Sequence, residues 1–198
     1  DITAYSGIDA MVHAIEAYTT KLKKNPISDA LAKKALSLLG SNIRIVVEEP
    51  KNKIAREKML LGSMLAGMAF ANAPCAGVHA LAYPIGARFH VPHGLSNSLV
   101  LASVLEFNSK QVESMYCEIA SDCLPQLKGK SIKIEDFLHG IQELISDLNI
   151  PKSLKEVGIS HKDIPKLADD AMKQQRLLVN NPRDINLHDA KLLYEKAL

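Results

Sequence analysis

From residue 59 to residue 87 the chain carries no Asp, Glu, Lys or Arg, and this run limits what the chain can fold into more than any other feature. A charge-free stretch either crosses a bilayer, which takes about 18 or more uninterrupted apolar residues, or lies inside a protein. Here Asn72, Pro74 and His79 interrupt the run, and Gly62, Ala66, Gly67, Ala69, Ala71 and Ala73 fill it with small side chains. The stretch is therefore expected to be a tightly packed central helix followed by a turn, with no membrane involved.

Helical spacing dominates the rest, and no segment shows strict alternation bounded by turn residues. The pattern predicts a helix over 6–21, opened by Ser6 and Asp9 as a variant capping box and closed near Lys21, Lys23 and Lys24. A second follows the Asn25-Pro26-Ile27-Ser28 turn through Leu31, Ala35, Leu38 and Leu39, and either frays around Gly40 or continues to Val47, stopped ahead of Pro50. A third spans 52–73, polar at its start and apolar at its end, as for an element entering the protein centre. Pro74 to Gly77 breaks it and starts a short helix bearing His79 and Tyr83. Further helices are expected from His93 through Leu105 and over 110–124, 134–149, 161–175 and 187–198. The expected fold class is all-α, a helical bundle forming one domain over 1–198.

Composition excludes some functions. Lysines are scattered and aromatics make up 5% of the chain, so no basic stripe is interleaved with stacking rings and nucleic acid is not an expected partner. Cys75, Cys117 and Cys123 form no CxxC pair and leave an odd thiol, which fits a reducing compartment, the cytoplasm by default. The chain begins at Asp1 and almost immediately enters a motif, as expected of a piece cut from something longer.

The chemistry-bearing residues lie in two places. Residues 78–94 place His79, His90 and His93 in an otherwise apolar, small-residue stretch, with His93 between Pro92 and Gly94, as a stiff turn would aim a ligand. Near the start, Asp9 and His13 are four apart and share a helix face. Asp9, His13, His79 and His93 together form a hard-to-borderline donor set suited to Fe(II) or Zn(II). Each also has a structural reading: Asp9 as a helix-dipole carboxylate, His13 as a half-buried helix residue, His79 as a hydrogen-bonded core histidine and His93 as a helix-start residue. His90 reads as a loop residue lining the pocket, and His139, His161 and His188 as solvated surface positions. Glu16 is either an outer partner of the site or bonded to its own helix surface.

GIDAMVHAIEAY at 7–18, NPISDALA at 25–32, AGMAFANA at 66–73 and HALAYPIGARFHVPHG at 79–94, with Asn181-Pro182-Arg183 near the end, resemble in order and spacing the signature blocks of the iron-containing (group III) alcohol dehydrogenases. The resemblance implies a divalent iron, or zinc, held by Asp9, His13, His79 and His93, and places Phe70 near the substrate and cofactor pocket. Many members carry a second His where this chain has Tyr83. A phenol with a pKa of about 10 is a poorer proton shuttle, so Tyr83 is expected to be a hydrogen-bond partner of substrate or cofactor. The implied reaction is reversible hydride transfer between a small alcohol or aldehyde and NAD or NADP. No glycine-rich phosphate cradle follows a strand here, so the nucleotide is expected on an N-terminal α/β domain that this chain lacks, and family members are commonly homo-oligomers. The rival readings are a relative resembling glycerol dehydrogenase or dehydroquinate synthase, which distribute their ligands differently, and an isolated helical metal-binding or oligomerisation module without turnover.

Overall fold

The computed structural model describes residues 1–198 as helices and turns, without a strand. Nine α-helices follow one another: α1 (Ile2–Thr19), α2 (Pro26–Glu48), α3 (Lys53–Asn72), α4 (Gly77–Phe89), α5 (His93–Cys123), α6 (Ile134–Asp147), α7 (Ile164–Ala171), α8 (Gln175–Leu178) and α9 (Leu187–Lys196), with single 3-10 turns at Pro125–Leu127, Leu154–Val157 and His161–Asp163. The all-α bundle expected from the periodicity is the observed architecture.

Local chemistry sets most boundaries. Asn25 Oδ1 accepts the Ser28 backbone N–H at 2.9 Å with Pro26 in the first turn of α2, a position where the missing proline N–H costs nothing. Asn52 caps α3 through the Ala55 N–H at 3.0 Å, and Asn186 and Asp189 cap α9 reciprocally. The start of α1 differs from expectation. The helix begins at Ile2, and the Ser6 hydroxyl donates back to the Ile2 carbonyl at 2.9 Å, so Ser6 is an interior residue and not a cap. At the other end α1 stops at Thr19, and Lys24 reaches back to the Tyr18 carbonyl from beyond the helix.

α5 is the hub, packing on α1, α2, α4, α6 and α9. It joins two expected helices into one, with non-helical dihedrals only at Val112 (φ −132°, ψ 30°), because the polar stretch around Asn108 stays helical instead of looping out. α1 is buried on nearly all sides, the condition of a core helix. By contrast α6 buries only Phe137, Gly140, Ile141, Leu144 and Ile145, the stripe of an amphipathic surface helix. The expected helix over 161–175 is divided into a 3-10 turn and α7, with α8 beginning at Gln175.

The charge-free run behaves differently from its prediction. α3 buries only Ala55, Gly62, Ala66 and Ala69, while Leu60 (74%), Met64 (55%) and Met68 (48%) are exposed. Small side chains face inward because α3 lies close to α2: a Cβ on Gly62 would sit 2.8 Å from the Leu39 side chain. The large residues are thereby turned outward, and α3 is a flank of the bundle. α3 and α4 meet at a bend of 108°, and no single helix is long and apolar enough to cross a membrane.

Candidate metal centre

Three helices converge on one point. Asp9 and His13 stand one turn apart on α1, His79 lies in the first turn of α4 and His93 opens α5. Their ligand-capable atoms all lie within 4.8 Å of one another. Asp9 Oδ1 is 3.3 Å from His93 Nε2 and 3.7 Å from His79 Nε2, and Asp9 Oδ2 is 3.6 Å from His13 Nε2. A tetrahedral cation with bonds of about 2.0–2.2 Å has donor–donor edges of about 3.3–3.6 Å, so these side chains fit one divalent ion.

Asn97, one turn after His93 on α5, tests that fit independently. Its amide nitrogen approaches Asp9 Oδ1 at 2.5 Å and both His79 Nε2 and His93 Nε2 at 3.3 Å, while its own oxygen is buried without a partner. Leaving a buried acceptor unpaired costs about 1–3 kcal/mol. Lone pairs that draw a single amide towards them at that cost are a set suited to a cation.

Behind the donor atoms lies an outer layer. His79 Nδ1 meets Glu16 Oε2 at 2.7 Å, and the two Glu16 oxygens accept the Ala76 and Val78 backbone N–H groups at 2.9 and 2.7 Å. Glu16 is thus the buried outer partner, not a surface residue. His13 Nδ1 lies 3.1 Å from Cys75 Sγ. Holding the rear nitrogen of an imidazole fixes which nitrogen keeps its lone pair for a metal. Asp9, His13 and Glu16 fall on one stripe of α1, so a single helix face supplies two donors and the carboxylate that orients a third.

Electrostatics agree with this arrangement. Burial pushes Asp9 up, but hydrogen bonds with His13 and His79 outweigh it and hold the carboxyl well below its usual range. Burial pushes His13 down, yet Asp9 and Cys75 together raise it to about 9. His79 is raised strongly against burial by the Glu16 charge and the Asp9 contact. His93 is lowered by burial and by its neighbouring imidazoles despite Asp9. Without a cation, protons occupy the place of positive charge.

The other candidates fall as follows. Phe70 stacks on the His13 ring, centroids 4.2 Å apart. Tyr83 lies edge-on to His79 at 6.3 Å and 5.7 Å from the His93 ring, and lines an open cavity of ≈ 610 Å³ with His93, Asp170 and Lys173. His90 does not line it: it closes α4 in the left-handed conformation (φ 55°) and is solvent-exposed. His139, His161 and His188 are exposed and belong to neither metal-capable cluster. Cys75 and Asn97 were not singled out by sequence reasoning; for Asn97 the available signal was its spacing of four from His93.

A family model described as the Fe-containing alcohol dehydrogenase family, C-terminal, matches residues 3–198. Long-chain-alcohol dehydrogenase 1 of Geobacillus thermodenitrificans is 38% identical over 99% of this chain and 50% of its own length, and 1,3-propanediol dehydrogenase of Citrobacter freundii is 35% identical over 99% and 51%. Among solved structures, a 1,3-propanediol oxidoreductase superposes with a TM-score of 0.92 at 34% identity, covering 98% of this chain and 51% of that one, and an alcohol dehydrogenase from Oenococcus oeni superposes with 0.92 at 33%, covering 99% and 51%. The chain spans about half the length of the curated relatives it matches. Agreement of sequence and fold along essentially its whole length places the chain in the iron-containing alcohol dehydrogenase family, where it corresponds to the C-terminal helical domain.

Proposed function

We propose that residues 1–198 form the metal-binding and catalytic domain of an NAD(P)-dependent alcohol dehydrogenase, catalysing reversible hydride transfer between a small alcohol and its aldehyde or ketone. The observation that carries this reading is the convergence of Asp9, His13, His79 and His93 within 4.8 Å. Those four side chains would hold Fe(II), or Zn(II), since imidazole and carboxylate donors without a thiolate suit either. A divalent cation there supplies Lewis acidity, lowering the pKa of an alcohol hydroxyl in one direction and polarising a carbonyl in the other.

The remaining work belongs to the chain. His93, with 46% of its side chain exposed, leaves the centre open on the side of the Tyr83-lined cavity, where substrate would enter. Tyr83, whose hydroxyl is free of bonds within the chain, would donate a hydrogen bond to substrate or cofactor. Phe70, stacked on His13, presents an apolar wall that keeps water from the reacting carbon and offers a face to the nicotinamide. The nucleotide itself would be bound by an N-terminal α/β domain of the kind that the other half of the relatives' length has room for. A cytoplasmic homo-oligomer acting on small molecules completes the reading.

Metal analysis of the purified chain tests it. The parent should carry about one divalent ion per chain, and His79→Ala and His93→Ala should each lose it while keeping helical content. Full metal occupancy in both variants would remove the ligand assignment and with it the dehydrogenase reading.

A further inference from the structure

We propose that the Asn180–Asn181 turn is a positioning element of the metal centre, clamping the α3–α4 connection so that its groups face His13 and Glu16. The inference rests on the ligand reading above and deepens it. Residues 74–78 support the outer layer of two ligands: Cys75 Sγ meets His13, and the Ala76 and Val78 N–H groups fix the Glu16 carboxylate of α1 against His79. The first N–H groups of α4 have no preceding helix carbonyl to bond, so the start of the helix is held by other partners, and Pro74 has no N–H to offer.

The holding comes from more than a hundred residues later in the chain. Asn180 Nδ2 donates to the Cys75 carbonyl at 3.0 Å, and Asn181 Oδ1 accepts the Gly77 N–H at 3.1 Å. Both asparagines are buried, at 4% and 0% exposure. The seat is close: a Cβ on Gly77 would lie 2.6 Å from Asn181 Oδ1, which is why the position is glycine. The turn is itself rigidly mounted. Asn181 and Asn108 exchange two amide bonds at 2.7 and 3.0 Å, and Asn181 Nδ2 also donates to the Arg183 carbonyl at 2.6 Å. The Arg183 guanidinium covers the Phe107 ring at 3.7 Å and donates to the Phe107 carbonyl at 3.1 Å. The Lys21 N–H donates to the Asn180 carbonyl at 2.7 Å. The clamp therefore ties the end of α1 and the middle of α5 to the very residues that orient His13 and His79. A purely structural staple would not need to end on the segment that carries those partners.

The test compares Asn180→Ala, Asn181→Ala and His79→Ala in the full chain. It reads Zn(II) and Co(II) affinity, the Co(II) absorption spectrum, the imidazole ¹⁵N shifts of His13 and His79, and thermal melting. We expect His79→Ala to lose binding and each asparagine variant to bind metal about ten- to a hundredfold more weakly, as for removal of outer-layer partners generally, with altered Co(II) bands and ¹⁵N shifts. Asn180→Ala removes a single bond to the connection and remains informative if Asn181→Ala does not fold. Asparagine variants that melt lower yet bind metal within twofold of the parent, with unchanged spectra, would overturn the proposal and leave the ligand reading intact. Undiminished binding by His79→Ala would overturn both.

Discussion

At the scale of the residue, the proposed metal centre would set protons and a cation in competition for the same lone pairs. Because Asp9 and Cys75 raise His13 to about 9 and Glu16 raises His79, an entering ion must displace protons that free imidazoles would already have shed. Metal affinity should therefore climb steeply with pH between about 6.5 and 9, a dependence that Zn(II) titrations across that range would measure; a flat profile would contradict the raised imidazoles. The metal-free chain behaves oppositely. Stability from protonated His13 is complete below about pH 6.5 and is lost as pH rises through 9, that from His79 persists to higher pH, and that from Asp9 is present above about pH 4 and is lost on acidification. Urea unfolding of the metal-free chain should give a site contribution greatest between those limits. Cys75→Val should lower metal affinity about tenfold, because the branched apolar side chain fills the space but cannot hydrogen-bond with His13 Nδ1; Cys75→Ser should recover part of the loss. An unchanged affinity in Cys75→Val would free His13 from that partner. Of the four converging side chains, Asp9 and His13 stand out by a spacing of four and His93 by its proline-glycine bracket, which are local patterns, while the set as a whole, His79 included, is singled out by the family resemblance. Cys75 does not stand out, since its partner lies 62 residues away and nothing near it in sequence distinguishes it from a small core residue.

At the scale of the element, the site depends on how closely α5 approaches α1. The sequence suggests that Gly94 serves a turn, but it lies inside the first turn of α5 and has no positive φ. Its function is the absence of a side chain, since a Cβ there would lie 2.1 Å from the Tyr5 carbonyl oxygen of α1. Gly94→Ala must push the two helices apart or distort one, costing about 3 kcal/mol, at the upper end for overpacking. It should also draw His93 away from Asp9 and weaken metal binding. Gly67→Ala on α3 is the matched comparison, because nothing lies within 4 Å of its Cβ position. There the gain in helix propensity should stabilise the chain by about 0.5–1 kcal/mol. Chemical denaturation of the two variants measures both signs, and a destabilised Gly67→Ala or a neutral Gly94→Ala would contradict the packing described. Helix existence was legible from periodicity and several boundaries from turn chemistry, as at Asn25-Pro26 and Pro74–Gly77, whereas the start of α1 and the facing of α3 were not. Ser6 has the chemistry of a cap but is preceded by residues equally able to be helical, and α3 has an apolar composition whose inward face is decided by the closeness of α2.

At the scale of the whole molecule, the four side chains link α1 to α4 and α5, which the chain reaches only after passing through α2 and α3. A cation bound there acts as a cross-link present in the folded state alone, since an unfolded chain does not bring Asp9 and His93 together. At a free-ion concentration 100 times the dissociation constant, such binding adds about 2.7 kcal/mol. For a domain of this size each kcal/mol moves the melting temperature by about 2–4 °C, so metal loading should raise it by roughly 5–11 °C. An excess of chelator should return it to the metal-free value. His93→Ala should melt near that value with or without metal, because one lost donor removes the link to α5 while leaving the packed interior untouched. The exposed Leu60, Met64 and Met68 of α3 contribute no atom to this cluster, so Leu60→Gln should leave the metal-dependent rise unchanged. If calorimetry finds the same melting temperature with zinc and with chelator, the four side chains do not hold an ion strongly enough to tie three helices together, and the fold of this chain stands on its apolar core alone.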